Sequence, residues 1–215
     1  SDVYKRQVLV EIENHVAVIT LNRPEKHNAI NEEMRRAIAE AFENVRTDNN
    51  IRSVVLTGAG DRAFTAGADL IAMSQNNEQS ISNNFWSPPH ISGVASGYHD
   101  TFFKPVIAAV NGYCYADGVN ILCQTTDIRI ASETSTFCYA EILRGFSGAG
   151  PAIANLPRQV SYAKAMEWLL TGKVFDADEA LHFGLVNEVV PLNETKTRAI
   201  ELAHQISQLA PVAVR

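Results

Sequence analysis

A chain of 215 residues, 46% of them hydrophobic, is long enough for one domain with a real core, and none of its apolar runs is long enough to cross a bilayer. A formal net charge of -6 without a cluster of Lys and Arg argues against nucleic acid as the main partner. Three cysteines without a close pair predict reduced thiols and a cytoplasmic location, and the scattered histidines predict no metal site.

Hydrophobic patterns in the first half of the chain predict a hairpin, a helix and a buried strand. The apolar runs 8–12 and 16–21 lie on either side of a polar turn, which is typical of two paired strands. Apolar residues at helical spacing predict a helix over residues 31–45, with Asn31 as its N-cap. The short apolar run at residues 54–57 indicates a buried strand. The polar residues 1–7 are set aside as a non-native or disordered lead.

The second half of the chain alternates strand and helix patterns. The predicted elements are a mobile loop or short helix beside a pocket at 74–87, a helix at 91–103 that ends before Pro105, a strand at 106–110, a helix at 118–125, a strand at 128–131, an extended piece at 135–138, a helix at 162–170 ended by Gly172, a helix capped by Asp176 and ended by Gly184, a strand at 185–190 and a long amphipathic helix at 194–209. Repeated strand–loop–helix units indicate the α/β class.

Two segments give the strongest indication of function. Residues 63–70 (Ala-Phe-Thr-Ala-Gly-Ala-Asp-Leu) follow an apolar run and contain a turn of small residues. Backbone N–H groups in such a turn can point into a pocket, and reactions that build negative charge on a carbonyl oxygen need donors of this kind. The second segment is 104–113 (Lys-Pro-Val-Ile-Ala-Ala-Val-Asn-Gly-Tyr). Residues 57–60 (Thr-Gly-Ala-Gly) lack the third glycine of a dinucleotide fingerprint, so a nicotinamide site is rejected.

These two segments belong to a longer series of motifs that resembles the crotonase (enoyl-CoA hydratase/isomerase) superfamily over nearly the whole chain. The other matching motifs, in chain order, are 22–29, 127–132, 141–142 with 145–150, 170–172 and 180–190. The resemblance implies an α/β fold with a crotonase-type ββα spiral core over residues 8–190. It also implies a helical C-terminal segment that begins at 191 and ends early at 215. The family assembles as homo-oligomers, usually trimers, and we expect weaker assembly because its further C-terminal helices lie beyond residue 215.

The resemblance also assigns residues to an oxyanion hole and to a substrate site. It implies that the backbone N–H groups of Ala68 and Asp117 bind the thioester oxygen, although Asp117 could instead be an ordinary helix N-cap. Lys26 and His27 fall where the family lines the adenosine side of coenzyme A, with a solvated surface loop as the alternative. The remaining substrate-binding positions implied are Ala66, Asp69, Gly118 and Gly148.

Glu141 aligns with one of the two carboxylates that move protons in the family. Its apolar neighbours Ala140 and Ile142 predict a raised pKa. Counting forward from Asn111 places the second family carboxylate at Asn120, whereas counting backward from Asp127 places it at Ile121. We prefer Asn120, because residues 116–118 match the family's glycine turn. Neither residue is an acid, so the usual pair is reduced to one carboxylate.

The sequence therefore predicts an enzyme of fatty acid metabolism that binds an acyl-CoA thioester and stabilises its enolate. Coenzyme A would enter as part of the substrate, and no separate cofactor is expected. Hydration normally uses two acids, whereas a single proton carrier fits double-bond isomerisation better, so both a lyase and an isomerase are considered. A non-catalytic acyl-CoA-binding protein is the alternative of a different class.

Overall fold

The computed structural model describes residues 7–75, 102–145 and 150–214. Within them, a six-stranded sheet has the order β1-β2-β3-β5-β7-β10, and a four-stranded sheet has the order β4-β6-β8-β9. The strands are β1 (Val8–Glu13), β2 (Val16–Leu21), β3 (Ser53–Gly58), β4 (Ala63–Thr65), β5 (Val106–Val110), β6 (Tyr113–Tyr115), β7 (Ile128–Ser132), β8 (Thr136–Cys138), β9 (Phe175–Asp176) and β10 (Glu188–Val190). The helices are α1 (Glu32–Thr47), α2 (Leu70–Gln75), α3 (Asp117–Thr125), α4 (Ala152–Gln159), α5 (Tyr162–Thr171), α6 (Ala177–His182), α7 (Thr195–Ser207) and α8 (Pro211–Val214). The predicted α/β class is confirmed.

Helices cover both faces of the large sheet. On one face, Ile38 and Phe42 of α1 join a core that includes Leu56 of β3. On the other face, Ala199 of α7 packs in a second cluster with Val55, the neighbour of Leu56 in the same strand. Successive strand residues point to opposite faces, so a strand covered on both sides must be apolar throughout. This explains the continuous hydrophobic runs in the sequence.

The smaller sheet gathers three loops at one edge. Strands β4, β6 and β8 run parallel, with Thr65 opposite Cys114 and Cys114 opposite Phe137. The carboxyl ends of parallel strands meet at the same edge of a sheet, where ligands commonly bind in α/β proteins. The loop that follows β4, the turn that follows β6 and the turn that follows β8 therefore lie close together.

Most of the elements with a clear hydrophobic period are confirmed. The hairpin forms with Glu13 opposite Val16, and its turn residues Asn14 and His15 take positive φ. Asn31 caps α1 by accepting a hydrogen bond from the backbone N–H of Met34 at 2.8 Å. The helix expected to end at Gly172 does so, whereas the helix expected to end at Gly184 ends at His182 with Phe183 as its C-cap; both glycines have positive φ.

Other elements differ from the predictions. β10 begins at Glu188 rather than at 185, because the N–H groups of Leu185 and Val186 both donate to the Ala180 carbonyl and close the end of α6. α4 was not predicted; Pro157 lies inside it. The final long helix begins at Thr195 and ends at Ser207.

Some predicted segments cannot be compared with the structure. The segment 76–87 and the helix predicted at 91–101 lie outside the described residues, as do residues 1–6 of the lead. Residues 74 and 75 end α2, and residues 102 and 103 are not helical. The carbonyl of Gln7 accepts a hydrogen bond from the N–H of Asn22 at 2.7 Å. Among the described helices, none has the length and apolar character needed to span a bilayer.

Candidate active site

The loop between β4 and α2 is held from both sides. Gly67, with φ of 92°, donates its N–H to Thr65 Oγ1 at 3.1 Å, and its carbonyl accepts from the N–H of Ile30 at 2.8 Å. The N–H of Asp69 donates back to the Ile30 carbonyl at 3.0 Å. Ala68 lies between these bonded residues, and no acceptor for its own N–H is present among the described residues. The position of this N–H is therefore fixed by its neighbours, and it remains available as a hydrogen-bond donor to a ligand.

A second unused N–H lies at the start of α3. Ala116 takes an unusual backbone conformation, with φ of 49° and ψ of -113°, and its carbonyl accepts from the N–H of Val119. The N-cap position therefore belongs to Ala116, and the alternative that Asp117 is the N-cap is wrong because Asp117 is the first helical residue. Its backbone N–H also has no acceptor within the described ranges. Such a donor at a helix N-terminus favours an anion.

The two unused donors belong to loops in contact. A Cβ added at Gly67 would lie 2.7 Å from the Ala116 Cβ and 3.2 Å from the backbone nitrogen of Asp117. Only glycine permits both this approach and the positive φ at position 67. Two N–H groups on neighbouring loops can stabilise negative charge on one oxygen atom placed between them.

The loop formed by residues 22–29 is tied to the same region. Arg23 Nη1 lies 3.0 Å from Asp69 Oδ2 and 2.6 Å from the Ala29 carbonyl. Burial of the Asp69 carboxyl opposes ionisation, but hydrogen bonds from the N–H of Ala72 and from Arg23 outweigh it and lower the pKa of Asp69. Buried Asn28, which the sequence analysis did not single out, donates to the carbonyls of Ala59 and Ala63. These bonds hold the loop 22–29 against the segment that contains β4 and the Gly67 turn.

The proposed coenzyme A contacts lie on this loop. Lys26 is exposed at the end of a 3-10 turn, Pro24–Lys26. His27 follows it with φ of 50°, and its ring centroid lies 5.9 Å from that of Tyr113. The His27 carbonyl accepts from the N–H of Ala66 at 2.9 Å, and His27 Nδ1 is buried with no partner among the described residues. Lys26, His27 and Ala66 are therefore neighbours of the Gly67 turn.

Asn120 and Glu141 form the polar centre of the site. Asn120 Nδ2 donates to Glu141 Oε1 at 3.1 Å, and Asn120 Oδ1 accepts from the N–H of Ala152, the first residue of α4, at 3.0 Å. Because a backbone N–H can only donate, the second bond determines which end of the amide is the oxygen. Ile121, the other position considered, is buried in the hydrophobic core. The structure thus places Asn120, rather than Ile121, beside Glu141.

Glu141 lies in an environment that favours the neutral acid. Burial raises its pKa to about 7; its own backbone N–H and Asn120 oppose that change, and the nearby charge of Asp117 adds to it. Glu141 Oε2 is buried and has no partner among the described residues. Glu141 directly precedes the 3-10 turn Ile142–Arg144, which follows β8. A carboxyl group with this pKa can give or take a proton near neutral pH.

The sequence analysis did not identify Tyr139 and Gly150 as part of this site, and it assigned Gly118 and Gly148 to substrate binding. The Tyr139 hydroxyl is buried without a partner in the described structure, and burial followed by the Glu141 charge raises its pKa. A Cβ at Gly150 would lie 2.4 Å from the Asn120 amide. At Gly118 it would lie 3.0 Å from Cys114 Sγ and Thr65 Cγ2, so Gly118 is required for packing. Gly148 lies outside the described residues.

Comparisons with known proteins agree on one family. A model of the family described as enoyl-CoA hydratase/isomerase matches residues 11–215. Enoyl-CoA hydratase EchA19 of Mycobacterium tuberculosis is 40% identical over 208 residues, covering 96% of this chain and 77% of that protein. The (E)-benzylidenesuccinyl-CoA hydratase of Thauera aromatica is 37% identical, with 97% and 79% covered. A solved enoyl-CoA hydratase from Bacillus anthracis matches with a TM-score of 0.88 at 30% identity, covering 97% of this chain and 80% of that one.

Proposed function

The chain belongs to the enoyl-CoA hydratase/isomerase family, the crotonase superfamily that its motifs predicted, and is an enzyme of that family; we propose that it adds water to an enoyl-CoA thioester through an enolate. The observation that carries the proposal is the pair of unused N–H groups at Ala68 and Asp117, close to a carboxyl group of raised pKa. The names of the relatives, several of which are hydratases, favour hydration over other reactions of the family.

In the proposed complex, the thioester carbonyl oxygen accepts hydrogen bonds from Ala68 and Asp117. The oxygen becomes negative when the enolate forms, so these bonds strengthen in the transition state and accelerate the reaction. The donors are held by the Gly67 and Ala116 turns before substrate arrives, and little reorganisation is needed. Each such donor contributes about 3 kcal/mol in comparable sites.

Glu141 exchanges the proton at the α-carbon of the acyl group. A pKa of about 7 leaves both the acid and the base populated at neutral pH, which is the best range for a group that must donate and accept. Lys26 and His27 would contact the coenzyme A part of the substrate, and Ala66, Asp69 and Gly118 would contact other parts of it. Gly148, which the resemblance also assigns to substrate binding, lies outside the described residues. A cytoplasmic location, and assembly as a homo-oligomer weaker than is usual in the family, remain predictions.

Double-bond isomerisation is the second candidate. It is favoured by Asn120, an amide at the position where the family has its second acid, because one proton carrier suffices to move a proton between two carbons. A binding protein without activity, the alternative of a different class, has no observation in its favour, because the relatives are named as enzymes of this family.

The test uses the full chain with crotonyl-CoA, with a 3-enoyl-CoA, and with butyryl-CoA in D2O, where exchange of α-hydrogens is followed by mass spectrometry. We expect hydration and exchange by the unmodified protein, and a loss of about a hundredfold or more in both for Glu141→Gln. The exposed Glu40 gives a matched control, Glu40→Gln, which should behave as the unmodified protein. Isomerisation without hydration would favour the second candidate, and binding of acyl-CoA without any turnover would overturn the proposal.

A further inference from the structure

A second carboxylate shares the polar centre with Glu141. Asp117 and Asn120 are three residues apart on α3, a spacing that places two side chains on the same face of a helix. Asn120 Nδ2 lies 3.4 Å from Asp117 Oδ1 and 3.1 Å from Glu141 Oε1. One amide nitrogen therefore contacts both carboxylates. The distance between Asp117 Oδ1 and Glu141 Oε1 cannot exceed the sum of these two contact distances.

The amide that joins them is rigid. Asn120 is 2% exposed, its oxygen is occupied by the N–H of Ala152, and Gly150 lies against it so closely that a Cβ there would overlap the amide. Asn120 can therefore only donate toward the two carboxylates. It holds their positions and does not itself exchange protons.

The two carboxylates have different surroundings. Arg35 Nη2 of α1 lies 3.8 Å from Asp117 Oδ2, and both side chains are largely buried. None of the ion pairs within the described ranges involves Glu141, and burial together with the neighbouring Asp117 charge raises the pKa of Glu141 to about 7. Two carboxyl groups in different surroundings, one paired with a cation and one buried without an ion pair, are an arrangement suited to acid–base chemistry.

We infer that the Asp117 side chain is the second catalytic carboxylate of this enzyme, the base that activates the attacking water, in addition to the role of its backbone N–H. The inference rests on the proposed function and deepens it, because it replaces the single-carboxylate site expected from the sequence by a pair. It also favours hydration over isomerisation.

The proposed step balances without any further reactant. Asp117 takes a proton from water while the water oxygen bonds to the β-carbon of the enoyl thioester. The electron pair of the carbon–carbon double bond moves toward the thioester and gives an enolate with its charge on the carbonyl oxygen. The α-carbon then takes the proton from Glu141. One water has been added, the proton lies on Asp117 instead of Glu141, and exchange with solvent restores the starting state.

The test separates the two roles of Asp117. Asp117→Asn keeps the backbone N–H and the size of the side chain, and Asp117→Gly keeps the N–H but removes the side chain. Both should lower crotonyl-CoA hydration by about a hundredfold or more. Exchange of the α-hydrogens of butyryl-CoA in D2O should persist, since it uses Glu141 and the two N–H groups but no attacking water. Asp178→Asn, a change in an exposed residue, is the control.

Formate provides a second readout. A small free carboxylate should restore part of the hydration by Asp117→Gly, because it can occupy the place of the missing base, whereas lost structural support would not be restored. Hydration that survives in both variants would overturn the inference, as would equal loss of hydration and exchange without rescue by formate. An unmodified protein that neither hydrates nor exchanges would overturn the proposed function itself.

Discussion

Asn120 and Glu141 are 21 residues apart in the chain, yet the amide of one donates a 3.1 Å hydrogen bond to the carboxylate of the other. Asn120 is carried by the helix that follows β6, and Glu141 by the turn that follows β8. Since β6 and β8 are parallel neighbours, the sheet itself determines this meeting. Because this bond is one of the interactions that act on the pKa of Glu141, the pH dependence of the reaction is the first property to test.

Hydration and α-hydrogen exchange should depend on pH in opposite directions. Hydration needs Glu141 protonated and should decline above about pH 7, whereas exchange needs Glu141 ionised and should decline below it. Asp117, Tyr139 and Cys138 are the titratable neighbours whose charges interact with this group. Measuring kcat/KM for both reactions from pH 5 to pH 9 checks the prediction. Parallel profiles would contradict it.

Ala68→Pro should lower hydration by roughly a hundredfold, because proline removes one of the two N–H donors. Ala68→Gly keeps the N–H and serves as the matched variant, with activity close to that of the unmodified protein. Circular dichroism of both variants checks that the fold survives. A folded Ala68→Pro variant with full activity would remove Ala68 from the oxyanion hole.

Gly150→Ala should reduce hydration because its Cβ would overlap the Asn120 amide and displace it from Glu141 and Ala152. The same change made in an Asn120→Ala background should cost little, since the overlap is gone. The four proteins form a double-mutant cycle, and a strong coupling between the two sites is the expected result. Additive effects would mean that Gly150 acts elsewhere.

Arg129→Leu should lower the free energy of unfolding by about 3 kcal/mol or more, because it leaves buried carbonyls without their charged donor. Arg129 is 6% exposed and its guanidinium donates to the carbonyls of Leu122, Thr126 and Leu185. Urea unfolding followed by circular dichroism measures the change. Leucine at the exposed Arg158 should cost less than about 0.5 kcal/mol. Equal effects at both positions would refute the argument.

Regular elements were the part of the fold that the sequence could predict. The hairpin before residue 22 and the helix capped by Asn31 have long apolar periods, and both form as expected. The strands Ala63–Thr65 and Tyr113–Tyr115 have three residues each, too few to display a period, and they were not predicted. α4 was missed because Pro157 interrupts its pattern. These missed elements belong to the small sheet and the helix that surround the site.

The site itself was only partly predictable. The positions of the two N–H groups and of Glu141 could be predicted from motifs, because a loop of small residues and an acid between apolar neighbours are both visible as local sequence patterns. The contact of Asn120 with Ala152 depends on where α4 begins, which no local pattern indicated. The position of the Asp117 side chain was missed because the helix was predicted to begin at residue 118. The observed helix begins one residue earlier and places Asp117 and Asn120, three residues apart, on one face.

The buried, unpartnered oxygen of Glu141 also links folding to proton binding. The pKa of this group rises from 4.5 in an unfolded chain to about 7 in the folded protein, so between these pH values the folded state retains a proton that the unfolded state releases. Stability must therefore decline as the pH rises through this window, by an amount on the order of 2 kcal/mol. Glu141→Gln cannot ionise, so it should be more stable than the unmodified protein at pH 8 and similar to it at pH 4. The proton that serves the reaction therefore also stabilises the fold, because its loss above about pH 7 leaves a buried charge at Glu141.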